Sequence, residues 1–324
     1  RNIAIGDYAM GVNTTGQYNV AIGYGALDAN TTASNNVAFG ANSLTANTTA
    51  GQNTAIGYNA LRQSTTADNN TTVGWRTMDA NTTGAENTAV GKAAMYSNTT
   101  GGSNVAMGVN ALYTNTTGQY QTAVGRGALY TSNADKNTAV GYQALEDNTG
   151  TDNTAVGYQA LNKNTSGVNN TAMGDRALRD NTTASGSTAF GRYALRDNNT
   201  DNNAAFGYLS FQSSTGGGNT GCGYIAGGQA TTGVNNTFLG NAAGYTTTTG
   251  SNNSAIGKHA WSSSATASNE VTLGDGNITS LRCAIKPALI VPSLAANPSL
   301  VAHLNLTGLT LFIKSKPTGR STIS

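Results

Sequence analysis

The sequence has little charge, few aromatic side chains and almost no cysteine or histidine. Charged residues are 10% and aromatic residues 7% of the 324 residues, whereas a typical globular domain has about 25% charged residues. The two cysteines, Cys222 and Cys283, have neither a CxxC nor a Cys/His spacing that suits zinc. We therefore interpret both cysteines as unpaired and predict no metal site and no cofactor.

Further absences exclude several functional classes. The net charge of +2 comes without the cluster of Lys and Arg that nucleic-acid binding requires. The sequence has no run of about 18 apolar residues, the length needed to cross a bilayer, so we predict no membrane insertion. Neither a Ser-His-Asp spacing nor a pair of facing carboxylates is discernible, which predicts that the protein is not an enzyme. The 38% hydrophobic content nevertheless argues against disorder.

What the sequence does contain is an internal repeat. A glycine preceded by an apolar residue recurs from Gly6 to Gly274 at intervals of 16 or 17 residues, and positions are numbered below relative to that repeat glycine. Successive copies are joined by Asn-Thr-Thr-Gly or a shortened form, as at Asn115–Gly118, which has the composition of a turn. We predict a repeat array over residues 1–278 and a non-repeat C-terminal tail or cap over residues 279–324.

The length of the repeat favours an all-β fold. A unit of 16 to 17 residues is too short for a helix pair and lacks a 3.6-residue apolar period. Its Asn-Thr-Ala-Val segment alternates as a strand does, and the glycine that follows allows a tight bend. The sequence therefore predicts a parallel β-solenoid of about 17 coils, which at ~4.8 Å per coil gives a rod on the order of 75 Å long.

Two positions of the repeat predict its core and its assembly. Position −1 is apolar in every copy, and position +4 is mostly Leu or Met, so we predict that both columns fill the core. Such a thin core favours oligomerisation, and we infer a homotrimer whose seam is lined by small residues such as Ala89, Ala106 and Ala123. A dimer or a monomer is the alternative, and the period permits chains that coil separately or interleave.

Polar columns accompany the apolar ones. Position −4 is usually Asn, as in Asn19 and Asn53, and stacked copies could form an amide ladder. Regular Thr pairs such as Thr31 and Thr32 are typical of ice-binding faces. However, neighbouring residues of an extended strand point to opposite sides, so we rank ice binding below a structural role.

Two stretches resemble known families. Asn19–Gly23, Asn-Val-Ala-Ile-Gly, resembles the head repeats of trimeric autotransporter adhesins, which build trimeric left-handed parallel β-rolls. Ser268–Gly274 and Ile278–Cys283 resemble the junction of phage tail fibres and tailspikes ahead of an endosialidase-type intramolecular chaperone. The repeat resemblance covers about residues 1 to 275. Residues 284–324 lack the Ser-Asp and Arg-Asp-Lys elements with which that chaperone begins.

These resemblances imply a structural and adhesive role. We predict a fibre shaft, most consistent with a phage or virus tail fibre, that is extracellular on the virion tail surface and has its own copies and a host-surface glycan as partners. A bacterial cell-surface adhesin or an extracellular matrix fibre is the alternative. A polysaccharide-degrading tailspike or an ice-binding protein is less favoured.

Position +1 supplies the candidate binding residues. It is Tyr or Trp in seven copies and basic in four, and outward side chains would form an aromatic and cationic stripe. Such a stripe could stack on sugar rings and pair with acidic groups, but we rank sealing of a turn or of a seam between chains above ligand binding. The candidate residues are Tyr24, Tyr58, Trp75, Arg126, Tyr142, Tyr158, Arg192, Tyr208 and Tyr224.

Overall fold

The computed structural model describes residues 1–279, so the predicted tail, apart from its first residue, lies outside the described residues. Arg1–Asn277 forms one compact unit. It contains one three-residue strand per repeat, and each strand with the turns that follow it is called a coil. The strands are β1 (Ile3–Ile5), β2 (Val20–Ile22), β3 (Val37–Phe39), β4 (Thr54–Ile56), β5 (Thr71–Val73), β6 (Thr88–Val90), β7 (Val105–Met107), β8 (Thr122–Val124), β9 (Thr138–Val140), β10 (Thr154–Val156), β11 (Thr171–Met173), β12 (Thr188–Phe190), β13 (Ala204–Phe206), β14 (Thr220–Cys222), β15 (Thr237–Leu239), β16 (Ser254–Ile256) and β17 (Val271–Leu273).

The strands form a single parallel sheet in which each strand pairs with the strand before it and the strand after it in sequence. The pairing keeps equivalent repeat positions opposite one another, so Val90 lies beside Met107 and Met107 beside Val124. This confirms the predicted parallel β-solenoid and the predicted stacking of that column. Over residues 1–279 the chain coils on itself, each coil pairing with the next in sequence.

The predicted assignment of the core is wrong at position −1. The middle residue of the strand, position −2, is the one that points inward: Ala89, Ala106 and Ala123 have no exposed surface. Position −1 points outward, as Met107 at 44% exposure and Phe39 at 52% show. The Ala columns therefore lie in the core of each chain and cannot line a seam between chains. Only the predicted Leu/Met column at position +4 lies in the core as expected.

The inversion follows from the two-residue period of a strand. Because alternate side chains point to opposite faces, a shift of one position exchanges the buried and the exposed set. The part of the coil that faces the strand across the core, called the opposite wall, decides which set is buried. It brings Ala at +3 and Leu or Met at +4 inward, as Ala111 and Leu112 show, and leaves room for only a small side chain at position −2.

That opposite wall is built from turns with unusual backbone angles. Residues at positions +2 and +4 have positive φ, for example 58° at Asn110 and 50° at Leu112. A left-handed residue that is not glycine costs about 1–2 kcal/mol. The conformation directs backbone groups along the rod, so that the Leu112 amide donates to the Ala128 carbonyl in the next coil at 3.0 Å. Hydrogen bonds between coils thus offset local strain.

Two buried columns of polar residues complete the interior. The Asn36 backbone amide donates to Oδ1 of Asn19 at 3.0 Å, so the position −4 column bonds mainly from side chain to backbone and not amide to amide as predicted. The amide-to-amide ladder occurs instead at position +7, where Asn98 Nδ2 donates to Asn81 Oδ1 at 2.7 Å. Buried amides need such partners, because an unpaired one costs about 1–3 kcal/mol.

Candidate functional site

The sheet presents an outward face, the outer strip, formed by positions −3 and −1 of every strand. Position −3 is mostly Thr or Val, and position −1 is Ile, Val, Phe, Met, Leu or Cys. Phe190 and Phe206 stack within the strip, with ring centroids 5.5 Å apart. The strip is therefore a continuous ribbon of apolar and methyl-bearing side chains along 17 strands. Sequence reasoning missed it because it placed position −1 inside.

The predicted aromatic and cationic stripe lies along one edge of the outer strip, because position +1 follows directly after the strand and its bend. Every candidate side chain on it is at least 36% exposed. The expectation that these residues lie outside the rod is met. The exposed members are Tyr24, Tyr58, Trp75, Arg126, Tyr142, Tyr158, Arg192, Tyr208 and Tyr224.

Many rings of the stripe stack on one another. Tyr142 and Tyr158 are parallel with centroids 5.3 Å apart. The Arg126 guanidinium lies 5.7 Å from the Tyr142 ring, and Arg176 lies 5.1 Å from the Tyr158 ring. Both outer faces of the tyrosine pair are thus covered by guanidinium groups. The stack leaves ring edges, hydroxyls and guanidinium N–H groups for a ligand, so the predicted face-on stacking of sugars does not fit this segment.

Other candidates divide between stacked and separate positions. Tyr208 and Tyr224 stack at 5.5 Å, whereas Tyr24 meets Tyr8 edge-on at 5.7 Å. Trp75 lies beside two cations, Arg76 at 5.3 Å and Lys92 at 5.4 Å. These residues share one edge of the rod but form separate groups along it.

A second tyrosine ladder lies at position +5 and was missed at the sequence level. Tyr96, Tyr113 and Tyr130 stack at 5.3 and 5.1 Å between centroids, and the Arg76 guanidinium covers Tyr96 at 4.7 Å. The signal was present, since position +5 is Tyr in three successive copies. The neighbouring column at position +4, which is mostly Leu or Met, indicates only the core.

The two tyrosine ladders meet at a shallow depression of about 140 Å³. Arg126 forms one side, and Gln143 and Glu146, joined by a 2.7 Å hydrogen bond, form another. Gly127 lies at its floor, and a Cβ there would be in ordinary contact with Gln143 Cγ at 3.5 Å. The remaining lining residues are Asn110, Tyr130 and Tyr142. The depression combines aromatic edges, a cation, a carboxylate and amides on one small surface.

Buried and half-buried ion pairs hold the arginines in place. Asp79, 1% exposed, accepts from Arg62 at 2.7 Å and from Arg76 at 2.9 Å. Asp180 accepts from Lys163 at 2.7 Å and from Arg179 at 2.5 Å. Both carboxylates orient cationic side chains along the outside of the rod.

The environment of Asp180 changes its acidity. Burial by itself would raise the pKa of Asp180, but hydrogen bonds from Arg179 and Lys163 outweigh burial and lower that pKa to about 2. The carboxylate is therefore charged over the physiological pH range and fixes two cations beside the stripe.

The larger cavity of the rod has a different character. It measures about 640 Å³ and lies between the last two coils, beside His259, Trp261 and Asp275. Trp261 stands at position +4 but is 46% exposed, so the Leu column of the core does not continue there. Among residues 1–279, no group of three or more His, Cys, Asp or Glu side chains could hold a metal ion. In the same range, no helix is long and apolar enough to cross a membrane.

Comparison with known proteins adds no assignment. No family model matches the chain, and neither a curated protein nor a solved structure is similar to it. The functional argument therefore depends on the outer strip and the aromatic stripe themselves.

Proposed function

We propose that the protein is the shaft of an extracellular surface fibre that associates with its own copies and contacts a host-surface glycan. The observation that carries this proposal is the outer strip, whose apolar position −1 side chains are exposed in coils 1, 3, 7 and 11–17 and half-buried in the other coils. An apolar row of this length on a rod is explained by permanent burial against another molecule. A rod of uniform coils spans distance, which is the mechanical requirement of a shaft.

The size of the strip supports association. At ~4.8 Å per strand and ~3.3 Å per residue, the strip measures roughly 80 by 10 Å, or about 800 Å². A typical monomer exposes apolar patches of about 300–600 Å² at most. A stable protein interface buries about 800 Å² on each partner. The footprint of the strip, which includes the Thr side chains of position −3, is therefore about what each partner buries in a stable interface, and in a trimer it is divided between two neighbours.

The assembly we propose is a homotrimer in which three outer strips face a common axis. This moves the seam from the Ala columns to positions −3 and −1, because Ala106 and its equivalents are buried inside each chain. The thin core of most coils, in which Leu or Met is the one large side chain, adds a reason for association. The resemblance to trimeric adhesin heads supports three chains over two.

The adhesive part of the proposal is the aromatic stripe. Stacked tyrosines with guanidinium caps, such as Arg126 on Tyr142, present hydroxyls and fixed N–H donors at regular spacing. Charge-assisted bonds from guanidinium groups suit carboxylates and phosphates, so an acidic surface polysaccharide fits better than a neutral one. The depression beside Arg126 is smaller than the ~300 Å³ of common ligand pockets. It would take one ring or one charged group of an extended chain, and repetition along three rods would supply avidity.

The biological source of the fibre is proposed from the resemblance of the repeat array to adhesin heads and of its C-terminal junction to phage tail fibres. We propose a phage or virus tail fibre, with the shaft on the surface of the virion tail. A bacterial cell-surface adhesin is the second candidate, which the Asn-Val-Ala-Ile-Gly copies favour. The genetic context would discriminate between the two candidates. Neighbouring tail-assembly genes would indicate a phage or virus tail fibre, whereas an outer-membrane export signal would indicate a bacterial adhesin.

Self-association is tested by analytical ultracentrifugation of the full chain and of a Met107→Asp, Phe190→Asp variant. Both side chains are exposed on the outer strip, so the variant should fold while its association is lost. Thr15→Asp, Thr32→Asp is a matched control, because these exposed turn residues lie off the strip. A wild-type chain that sediments as a monomer, or as a dimer, would contradict the trimer.

Glycan contact is tested by binding of the shaft to purified acidic envelope polysaccharide. Arg126→Ala and Tyr142→Ala should weaken binding, while Tyr120→Ala should not, because Tyr120 is exposed at position −5 on the opposite side of the strand. Equal binding by all three variants, each confirmed as a trimer, would remove the stripe as a receptor site and leave a spacer.

A further inference from the structure

We infer that Arg176, Arg192 and Tyr193 form a binding site for a phosphate monoester carried by a host-surface sugar. The inference rests on the glycan contact proposed above and deepens it, because it adds a second site and names the charged group that this site takes. The three residues stand at positions +1 and +2 of coils 11 and 12, whereas Arg126 belongs to coil 8.

Two guanidinium groups converge on the hydroxyl of Tyr193. Arg176 Nη1 donates to that oxygen at 2.8 Å, and Arg192 Nη2 donates to it at 3.1 Å. Both guanidiniums also lie against the ring, Arg192 at 4.6 Å and Arg176 at 5.7 Å from its centroid. The oxygen keeps its own proton, and among residues 1–279 the Tyr193 O–H donates to no other group. The site therefore has a free hydroxyl donor between two cations.

Asp175 is the acid that both arginines share. Its Oδ2 accepts from Arg192 Nε at 3.2 Å, whereas its buried Oδ1 lies 3.7 Å from Arg176 Nη1 and accepts no hydrogen bond. Arg176 thus directs its Nη1 to the phenol oxygen and not to the carboxylate. Because one carboxylate serves two guanidiniums, one positive charge is left uncompensated.

The surroundings add a second uncompensated charge. Asp180 is shared by Lys163 and Arg179, while Arg196 pairs with Asp197 at 2.6 Å. Positions +1 to +6 of coils 10–12 therefore carry five bases and three acids, a net charge of +2. A phosphate monoester carries about −1.5 to −2 charges at neutral pH. The local excess of positive charge matches that group in sign and in magnitude.

The number of donors favours phosphate over carboxylate. A carboxylate has two oxygens in one plane, which the fork of a single guanidinium matches. Here the donors belong to two separate guanidiniums and a hydroxyl, which meet from neighbouring coils. A phosphate monoester presents three strong acceptor oxygens, one for each of these groups. The arrangement therefore fits a tetrahedral group better than a planar one.

The acidity of Tyr193 supports the same role. The hydrogen bond from Arg192, together with the one from Arg176, lowers the pKa of the Tyr193 hydroxyl below its usual value. A more acidic hydroxyl is a stronger donor, and a hydrogen bond to an ionised acceptor is stronger than one to a neutral acceptor. An anion that replaces water beside this hydroxyl therefore gains a strong bond.

No other part of the described rod combines these features. Coils 4–6 have a similar excess of positive charge, but there Arg62 and Arg76 both donate to the buried carboxylate of Asp79. Only the Arg76 guanidinium reaches the Tyr96 hydroxyl. In the depression at coils 8 and 9, the Glu146 carboxylate would repel a dianion. A phosphate monoester is therefore expected at coils 11 and 12.

The site opens away from the outer strip. Arg196, at position +5, lies 5.6 Å from the Tyr193 ring, so the ring stands between the columns at +1 and +5 and not between the strip and +1. The side chain of Arg192 is 52% exposed. The site therefore stays accessible when the outer strips of three chains face one another.

Three sugars that share one ring test the choice of anion. Glucose 6-phosphate, glucuronate and glucose are titrated into the assembled full chain, and binding is followed by ligand-observed NMR. Glucuronate should bind about tenfold more weakly than glucose 6-phosphate, because it makes fewer charge-assisted hydrogen bonds. Glucose should not bind measurably, and inorganic phosphate should displace glucose 6-phosphate.

Two conservative variants test the residues. Tyr193→Phe keeps the ring and removes the hydroxyl, and Arg192→Lys keeps the charge and removes the planar fork. Each should weaken binding of glucose 6-phosphate about tenfold, the effect of losing one charge-assisted hydrogen bond. Tyr120→Phe is the matched control, because it removes an exposed hydroxyl at position −5. Its binding should equal that of the wild type.

The outcomes separate this inference from the proposed function. Preferential binding of glucose 6-phosphate that Tyr193→Phe and Arg192→Lys weaken is the expected result. If acidic polysaccharide binds through Arg126 and Tyr142 while the two variants bind glucose 6-phosphate like the wild type, the phosphate site is overturned and the glycan contact stands. Equal binding of glucuronate and glucose 6-phosphate would likewise overturn the assignment to phosphate.

Two further outcomes complete the test. If the wild-type chain binds neither acidic polysaccharide nor glucose 6-phosphate, both the glycan contact and this site are overturned. Vesicles that contain phosphatidic acid carry the same phosphate monoester on a lipid. Vesicle binding that requires Tyr193, without binding of glucose 6-phosphate, would overturn the sugar as the carrier of the phosphate.

Discussion

The ring of Phe238 occupies the space that a side chain at Gly244 would need. Phe238 stands at position −2, where Ala is usual, and Gly244 stands at position +4, where Leu is usual. A Cβ on Gly244 would overlap the Phe238 ring. A related exchange occurs between neighbouring coils, where a Cβ on Gly221 of coil 14 would lie 2.7 Å from Cδ2 of Phe211 in coil 13. The two walls of the coil therefore share a fixed volume.

This shared volume predicts a compensating pair of substitutions. Phe238→Ala should lower the free energy of unfolding by about 3–5 kcal/mol, because it leaves a cavity in a close-packed core. Adding Gly244→Leu should recover most of the loss, since it rebuilds the Ala and Leu combination of the other coils. Gly244→Leu alone should destabilise by overpacking. Chemical denaturation of the four chains would measure the cycle, and additive effects would contradict the shared volume.

The corrected orientation of the strands predicts opposite responses at neighbouring residues. Ala106→Leu should cost about 1–3 kcal/mol, because Ala106 has no exposed surface and the core has no room for the added methyl groups. Met107→Leu should leave the folding of each chain nearly unchanged, since Met107 is 44% exposed. Thermal unfolding under conditions where the chains are dissociated distinguishes the two. An Ala106→Leu chain as stable as the wild type would contradict the burial of Ala106 and support a seam between chains lined by the Ala column.

The repeat glycine is predicted to be irreplaceable where coils stack. Gly108 has φ 142°, and a Cβ there would lie 2.5 Å from the carbonyl oxygen of Gly125. Gly108→Ala should therefore destabilise the rod by at least about 3 kcal/mol, from backbone strain together with overlap. Gly276→Ala is the matched control, because nothing lies within 4 Å of its Cβ position. Equal denaturation midpoints for the two variants would contradict this account.

The pKa of Asp180 predicts a loss of stability in acid. Its pKa is about 2 in the folded chain and about 3.9 in an unfolded chain. A carboxylate with a lowered folded-state pKa stabilises the fold above the unfolded value and ceases to do so as pH falls through the folded value. Stability should therefore fall between about pH 4 and pH 2, and Asp180→Asn should reduce that fall. An unchanged pH profile in the variant would contradict the role of the Lys163 and Arg179 contacts.

The sequence by itself determined the repeat, the strand at each copy, the parallel register and the bend at each glycine. These features are local or periodic: a 16- to 17-residue period with an apolar residue before each glycine leaves few folds other than a coil that stacks on itself. The exposure of position +1 could also be predicted, because Tyr142 and Tyr158 follow the bend directly. Nothing in that reasoning required knowledge of the wall opposite the strand.

The tertiary structure decided which face of the strand is buried. Ala106 and Met107 are adjacent on a strand, and the two-residue alternation permits either to point inward. The choice depends on how far the opposite wall stands from the sheet, which the left-handed residues around Leu112 and the Leu side chain itself determine. Hydrophobicity alone assigned the core to Met107 and its column. Packing against a near wall placed the smaller alanine inside, and so created the outer strip.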